Sequence, residues 1–163
     1  MVFRNFIIVA AFKKIMDFPI SGQELVQLIP QKEPFVFISS LLSVNENGCT
    51  TTFTFDSQHA LCQCGNLSIG GIIENMAQSS GCKMGYENFM QGKPARTAFI
   101  GEVREFTYSR LPKAGEKLTT EITIENMVFG SVVVIAGKVK VGREAIASCK
   151  MKVFFEPAES DNV

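Results

Sequence analysis

Residues 65–81, GNLSIGGIIENMAQSSG, set the carboxylate of Glu74 and, close after it, the carboxamides of Asn75 and Gln78 among small and apolar side chains. An ionised carboxylate taken out of water is stable only when it is paired or hydrogen-bonded. Glu74 stands three residues after Gly71, close to a helix start, where first-turn N–H groups and the helix dipole favour an anion. Burial favours the neutral acid, and the competition between the two makes Glu74 a candidate general acid or base. Gly70 and Gly71 let a ligand approach the backbone closely, and the N–H groups there could polarise a carbonyl such as that of a thioester. Gln78, one turn further on, can hold the carboxylate or a water. A structural reading competes: the glycine pair permits tight packing, and Glu74 and Gln78 meet solvent or a neighbouring subunit.

The single histidine, His59, lies in the segment before this helix. It is a candidate acid–base partner for Glu74, and equally an ordinary polar loop residue. HALCQC (59–64), with Cys82 as a fourth donor, has metal-ligating residue types. Cys-x-Cys is a poor template for a structural zinc site, so neither a metal nor a cofactor is expected.

Those residues need a scaffold. ISGQELVQLIP predicts a helix of about two turns, with Ser21 and Glu24 as a capping box, Ile20 stapled onto Leu25, and Pro30 as the stop. Segments 35–44 and 49–56, joined by NENG, read as a hairpin with Phe53 and Phe55 on one face and Thr52 and Thr54 on the other. Residues 57–68 read as a loop. Over 71–90 the apolar residues leave little polar surface, which predicts a largely enclosed helix ending near Gly92 and Pro94. Four strands follow, 96–109, 116–128, 131–141 and 144–156, punctuated by LPKAGE, FG and VGR. In the last, Cys149, Met151 and Val153 face one way and Lys150 and Lys152 the other, as in a sheet with one dry face. An antiparallel sheet wrapped around one long central helix, an α+β layout, buries that helix economically.

The chain has 163 residues, 46% of them hydrophobic, enough for one domain with a core. Sixteen basic and sixteen acidic side chains cancel and no basic run stands out, so neither nucleic acid nor a membrane surface is an expected partner. The apolar stretch 6–12, followed by Lys13 and Lys14, is too short to span a bilayer and lacks the marks of a signal peptide. Met16 is an alternative first residue. Five irregularly spaced cysteines suggest reduced thiols and a cytoplasmic location. The expected division is an N-terminal extension (1–18), a single domain (19–156) and a flexible tail (157–163).

Taken together, LIPQKEPFVFI (28–38), GGIIENMAQSSG (70–81), FIGEVREFTYSRLPKAGEKL (99–118) and the closing strands resemble the hotdog-fold 3-hydroxyacyl-acyl carrier protein dehydratases. The resemblance runs in order from about residue 19 to 156. Its most specific pieces are Glu-x-Met-Ala-Gln (Glu74, Met76, Ala77, Gln78) and the segment from Ile29-Pro30 to Pro34-Phe35. The chain is most similar to the divergent branch associated with aryl-polyene and flexirubin pigment synthesis. The resemblance implies a site at a dimer interface, where a loop histidine takes the C2 proton and a helix carboxylate of the neighbouring subunit assists loss of the C3 hydroxyl. Glu74 matches that carboxylate. The family loop reads His-Phe-Pro-Gly-His-Pro; here the gap-free match to its first histidine is Ala60, with His59 one place away, and Gln31 stands where a second family histidine lies.

Three functions therefore compete. The first is a lyase acting on a 3-hydroxyacyl thioester carried by acyl carrier protein or CoA, with Glu74 and His59 catalytic and Gly70, Gly71, Gln78 and Gln31 binding substrate. The second is a hotdog thioesterase, which would carry its carboxylate deeper in the helix, near Ser79 and Ser80. The third is a subunit without catalysis that binds acyl chains and pairs with an active dehydratase. A homodimer or higher oligomer is expected in each case, because free sheet edges and an open apolar flank need cover.

Overall fold

The computed structural model describes residues 16–156. The expected tail at 157–163 and most of the expected N-terminal extension lie outside the described residues. The packed unit nevertheless begins before residue 19, since Met16 is part of the core and the Phe18 ring rests on Tyr86 at 5.4 Å.

Seven strands form one antiparallel sheet: β1 (Ile20–Ser21), β2 (Ser40–Asn45), β3 (Gly48–Thr54), β6 (Ala98–Tyr108), β7 (Lys117–Val128), β8 (Val132–Val141) and β9 (Glu144–Phe155). Their order across the sheet is β1-β2-β3-β7-β8-β9-β6. The last four strands start and stop within two residues of the sequence expectation. Their inward rows are in register: Phe53 faces Leu118, Thr51 faces Thr120, Ile135 faces Met151 and Gly137 faces Cys149. This dry face wraps the central helix α2 (Ile69–Met90), as expected of a hotdog fold. Met76 packs where β8 narrows to Gly137, whose Cβ would lie 2.7 Å from the Met76 sulfur. Ile72 and Met76 are wholly buried, each stabilising the fold by about 1.5–3 kcal/mol.

Helix α2 is punctuated by its own sequence. Ser68 caps it, its Oγ accepting from the Gly71 N–H at 3.2 Å. At the far end Gly92, at φ +72°, turns the chain away while Lys93 N–H and Gly92 N–H donate to the carbonyls of Asn88 and Phe89. No helix among the described residues is long and apolar enough to cross a membrane.

Three local expectations are corrected. Helix α1 is only Gly22–Val26, and Ser21 makes no side-chain cap. Gly22, at φ +59°, swings the chain away from the geometry that a capping box needs. Residues 35–38 do not belong to the β2–β3 hairpin; side chains of α2 satisfy the backbone of Phe35 and Phe37 instead. The expected loop 57–68 contains a small ladder, β4 (Cys62–Gln63) with β5 (Asn66–Leu67), closed by Cys64 and Gly65 at φ +49° and +74°, the two positive values of a tight hairpin turn.

The segment 109–116 docks this small ladder and so sets where α2 begins. Leu67 N–H donates to the Pro112 carbonyl and Ala114 N–H to that of Gly65. Glu116 fixes the segment, accepting from two guanidinium nitrogens of Arg110 (2.8 and 3.2 Å) and from Lys113 N–H (2.7 Å). The Arg110 hydrogen bond, then that of the Lys113 backbone, holds the Glu116 carboxyl below the usual carboxylate range. A lowered carboxylate contributes stability that is present above its ordinary value and lost as pH falls through the lowered one. Thermal melts should therefore show Tm dropping as the pH is taken below 4.5, the ordinary value, with Glu116→Gln reducing that drop modestly because the pair is only half-buried and water screens it.

All five cysteines are free thiols. Burial pushes the Cys49 thiol up to about 12 and that of Cys149 to about 11, so these two stay protonated and serve packing.

Candidate functional site

On α2, residues three and four apart share a face, and one such face carries Glu74, Ala77, Gln78 and Gly81. It forms one wall of a groove of ≈ 210 Å³. Pro30 and Gln31 stand beside Glu74, while Ile100 of β6 and Val153 of β9 form the apolar side opposite. Glu74, Gln78 and Gln31 thus meet in one place, a groove lined by apolar side chains and also by the charged Arg96.

The two carboxamides explain how a half-buried carboxylate is held there. Gln78, 2% exposed, accepts from Phe37 N–H at 2.8 Å. Its Nε2 donates to the Phe35 carbonyl and to Glu74 Oε1, both at 2.8 Å. Every polar atom of Gln78 is therefore engaged within the chain, so it orients Glu74 and offers no free group to substrate. Asn75, fully buried, donates to the Phe37 carbonyl at 2.7 Å and accepts from Thr120 Oγ1 at 2.6 Å, tying α2 to both the 35–37 segment and β7.

His59 clamps the same segment. One ring nitrogen lies 2.9 Å from the Val36 carbonyl oxygen and the other 2.8 Å from that of Ala60. Carbonyls 35 and 37 go to α2 and carbonyl 36 to His59, the alternation of extended backbone. The imidazole sits edge-on against Phe37 and Phe53, with ring centroids 4.8 and 5.1 Å away. A neutral imidazole has a single N–H, so one of these two contacts is a donated hydrogen bond and the other ring nitrogen keeps its lone pair. Neither nitrogen bonds to Glu74 of the same chain, and His59 does not line this chain's groove; the expected dyad joins His59 to Glu74 of a neighbouring subunit.

The glycine pair divides. Gly71 N–H is taken by Ser68 Oγ, and a Cβ on Gly71 would stand 2.5 Å from Leu67 Cδ1, so this glycine serves close packing. Gly70 is exposed, and a Cβ on it would come no nearer to a neighbour than 3.8 Å, to Ser68 Oγ. It lies one turn before Glu74 on the same face. It is the glycine whose backbone a ligand can reach. The serines at the depth where a thioesterase would carry its carboxylate are buried and satisfied: Ser79 Oγ donates to the Asn75 carbonyl and Ser80 Oγ to that of Ala77, each at 2.7 Å. No three or more His, Cys, Asp or Glu side chains converge on a metal-holding point among the described residues.

Gly81, Arg96, Ile100 and Val153 are groove residues that the sequence did not assign to the site. Gly81, seven residues after Glu74, was within reach of a helical count; the strand residues arrive only through the sheet's curvature.

Residues 23–163 match the family model described as ApeP-like: ApeP dehydratase. No curated protein matches the chain in sequence. Among solved structures, the dehydratase heterocomplex ApeI:P from Xenorhabdus doucetiae is similar at a TM-score of 0.76 and 15% identity, covering 89% of this chain and 95% of that one. Protein PH1136 from Pyrococcus horikoshii is similar at 0.58 and 13% identity, over 90% of this chain and 100% of that one. A hypothetical thioesterase protein with coenzyme A from Streptococcus pneumoniae TIGR4 is similar at 0.54 and 12% identity, over 72% and 88%. At such identities the likeness of these structures is one of fold.

Proposed function

Because the chain belongs to the ApeP-like dehydratase family, we propose that it removes water from 3-hydroxyacyl thioesters, with Glu74 as the group that moves the proton. The observation that carries this reading is the Glu74 carboxylate, fixed by Gln78 in a groove whose other charged lining residue is Arg96. The thioester carbonyl lies toward the Gly70 N–H, which polarises it and acidifies C2. Glu74 takes the C2 proton, the C–H electrons become the C2=C3 double bond, and the C3–O bond breaks. The departing hydroxyl takes the proton back from Glu74 and leaves as water, restoring the carboxylate. Products are the enoyl thioester and water, so no further reactant is needed. Gln31 lies at the mouth, where it meets the polar part of the substrate.

The carrier is acyl carrier protein or CoA, and the pathway a fatty-acid or aryl-polyene type of synthesis in the cytoplasm. A second hotdog chain completes the groove. Its first wall residues, Ala98, Phe99 and Ile100, open the edge strand β6, which has no sheet partner on its outer side among the described residues. Phe99 and Tyr108 on that strand are 56% and 50% exposed, apolar area that a paired chain covers. Both a homodimer and a heteromer with an active dehydratase fit this edge, and the named relative is a heterocomplex.

The test is to incubate the protein with 3-hydroxyacyl and enoyl pantetheine thioesters and follow the enoyl chromophore in both directions. Interconversion supports the reading; hydrolysis of the thioester instead would make the protein a thioesterase. One observation favours the non-catalytic partner role: both His59 nitrogens face backbone carbonyl oxygens of this chain and not the groove. Absence of turnover alone, together with co-purification with a second dehydratase-like chain, would establish it. Replacing the clamp, His59→Ala, is expected to destabilise the fold by about 2 kcal/mol through the lost hydrogen bonds and ring packing. On the Glu74 mechanism its turnover falls far less than that of a Glu74 variant, which paired melts and initial rates would check.

A further inference from the structure

Beyond its first turn α2 contains two glycines, Gly81 and Gly85, and a helix interior disfavours glycine relative to alanine. Gly85 has a packing reason, since a Cβ there would stand 1.8 Å from the Leu28 carbonyl oxygen. Gly81 has none: a Cβ added to it meets no atom within 4 Å. The fold would accept a side chain at residue 81, and yet that position lines the groove.

We propose that Gly81 sets the length of acyl chain the groove accepts. Seven helical residues place it about 10 Å along the axis from Glu74. An acyl group whose reacting carbons sit at Glu74 runs past Ala77, between the helix and Ile100 and Val153, and its far carbons occupy the space that a side chain at 81 would fill. Met84, further along this helix, packs against the core and lies outside the groove lining, which leaves Gly81 as the lining residue of α2 furthest from Glu74. This inference rests on the acyl-thioester reading above, and it adds the residue that selects among substrates of that class.

The test compares wild type with Gly81→Ala, Gly81→Leu and, as a packing control, Gly85→Ala. Two readouts are used: kcat/KM on pantetheine thioesters of 3-hydroxy acids from butanoyl to decanoyl, and the rise in Tm given by the matching saturated acyl thioesters. In Gly81→Leu the decanoyl-to-butanoyl ratio of kcat/KM should fall about ten- to a hundredfold, with a smaller fall in Gly81→Ala. Without ligand, Gly81→Ala should melt a few degrees higher and Gly85→Ala lower, the signature of a glycine kept for space rather than for packing. An unchanged ratio in both Gly81 variants overturns the proposal, as does an unchanged ratio accompanied by loss of the oligomer, which would assign the space to a neighbouring subunit. If wild type turns over no thioester, but binding depends on chain length and shortens in Gly81→Leu, dehydration falls and the length selector stands. If no acyl thioester raises the Tm of wild type and none is turned over, both fall.

Discussion

Glu74→Gln should lower turnover of a 3-hydroxyacyl thioester by about 10²–10⁴-fold, the usual cost of removing a positioned proton-transfer group, while Tm stays within a few degrees of wild type. The substitution is nearly isosteric, and the new amide oxygen can still accept the hydrogen bond that Gln78 Nε2 gives to Glu74 Oε1 at 2.8 Å. The 35–37 segment, bonded to Gln78 and Asn75, keeps its place. What is lost is the capacity to take a proton from C2 and return it to the C3 oxygen. The loss should therefore fall on kcat with little change in KM, which steady-state kinetics separate. A variant that retains more than a tenth of wild-type turnover would remove Glu74 from the chemistry, whatever the groove looks like.

The largest effect on stability is expected at Asn75→Leu. Leucine is close in volume and a better helix former, so a description based on propensity and packing alone forecasts little harm. The hydrogen bonds forecast otherwise. Both ends of the wholly buried Asn75 amide are used, and leucine would strand the Phe37 carbonyl and the Thr120 hydroxyl away from water. Each stranded group costs about 1–3 kcal/mol, so the variant should lose about 3–4 kcal/mol, or about 10 °C in Tm for a domain of this size. Denaturant and thermal unfolding measure it. Adding Thr120→Val should recover part of the loss by removing one of the two orphans, and strict additivity of the two changes would show that the pair is not coupled.

The same residues show where sequence reading stopped. Strands β6 to β9 were legible because alternation is a local property: a dry face needs every second residue apolar, whatever lies opposite. The far end of α2 was legible for the same reason, through Gly92 and Pro94, although the helix starts two residues earlier than its apolar pattern implies. Glu74 was legible as an acid out of place. The segment 35–37 misled, since its apolar residues read as strand while its backbone partners are Gln78, Asn75 and His59, up to 43 residues away in the chain.

By its own composition and spacing the sequence determined an enclosed helix bearing Glu74 near its start and the strands able to surround it; the family entered only through the resemblance of its motifs. Only the tertiary structure decided what each polar group on that helix is for. It gave Gln78 and Asn75 to the backbone of 35–37, His59 to two carbonyls, Gly71 to packing, and left Glu74, Gly70 and Gly81 open. The reason is physical. A side chain's periodicity says which face it takes, whereas its role depends on whether a donor or acceptor from a distant segment reaches it first, and that is fixed only when the sheet closes over the helix.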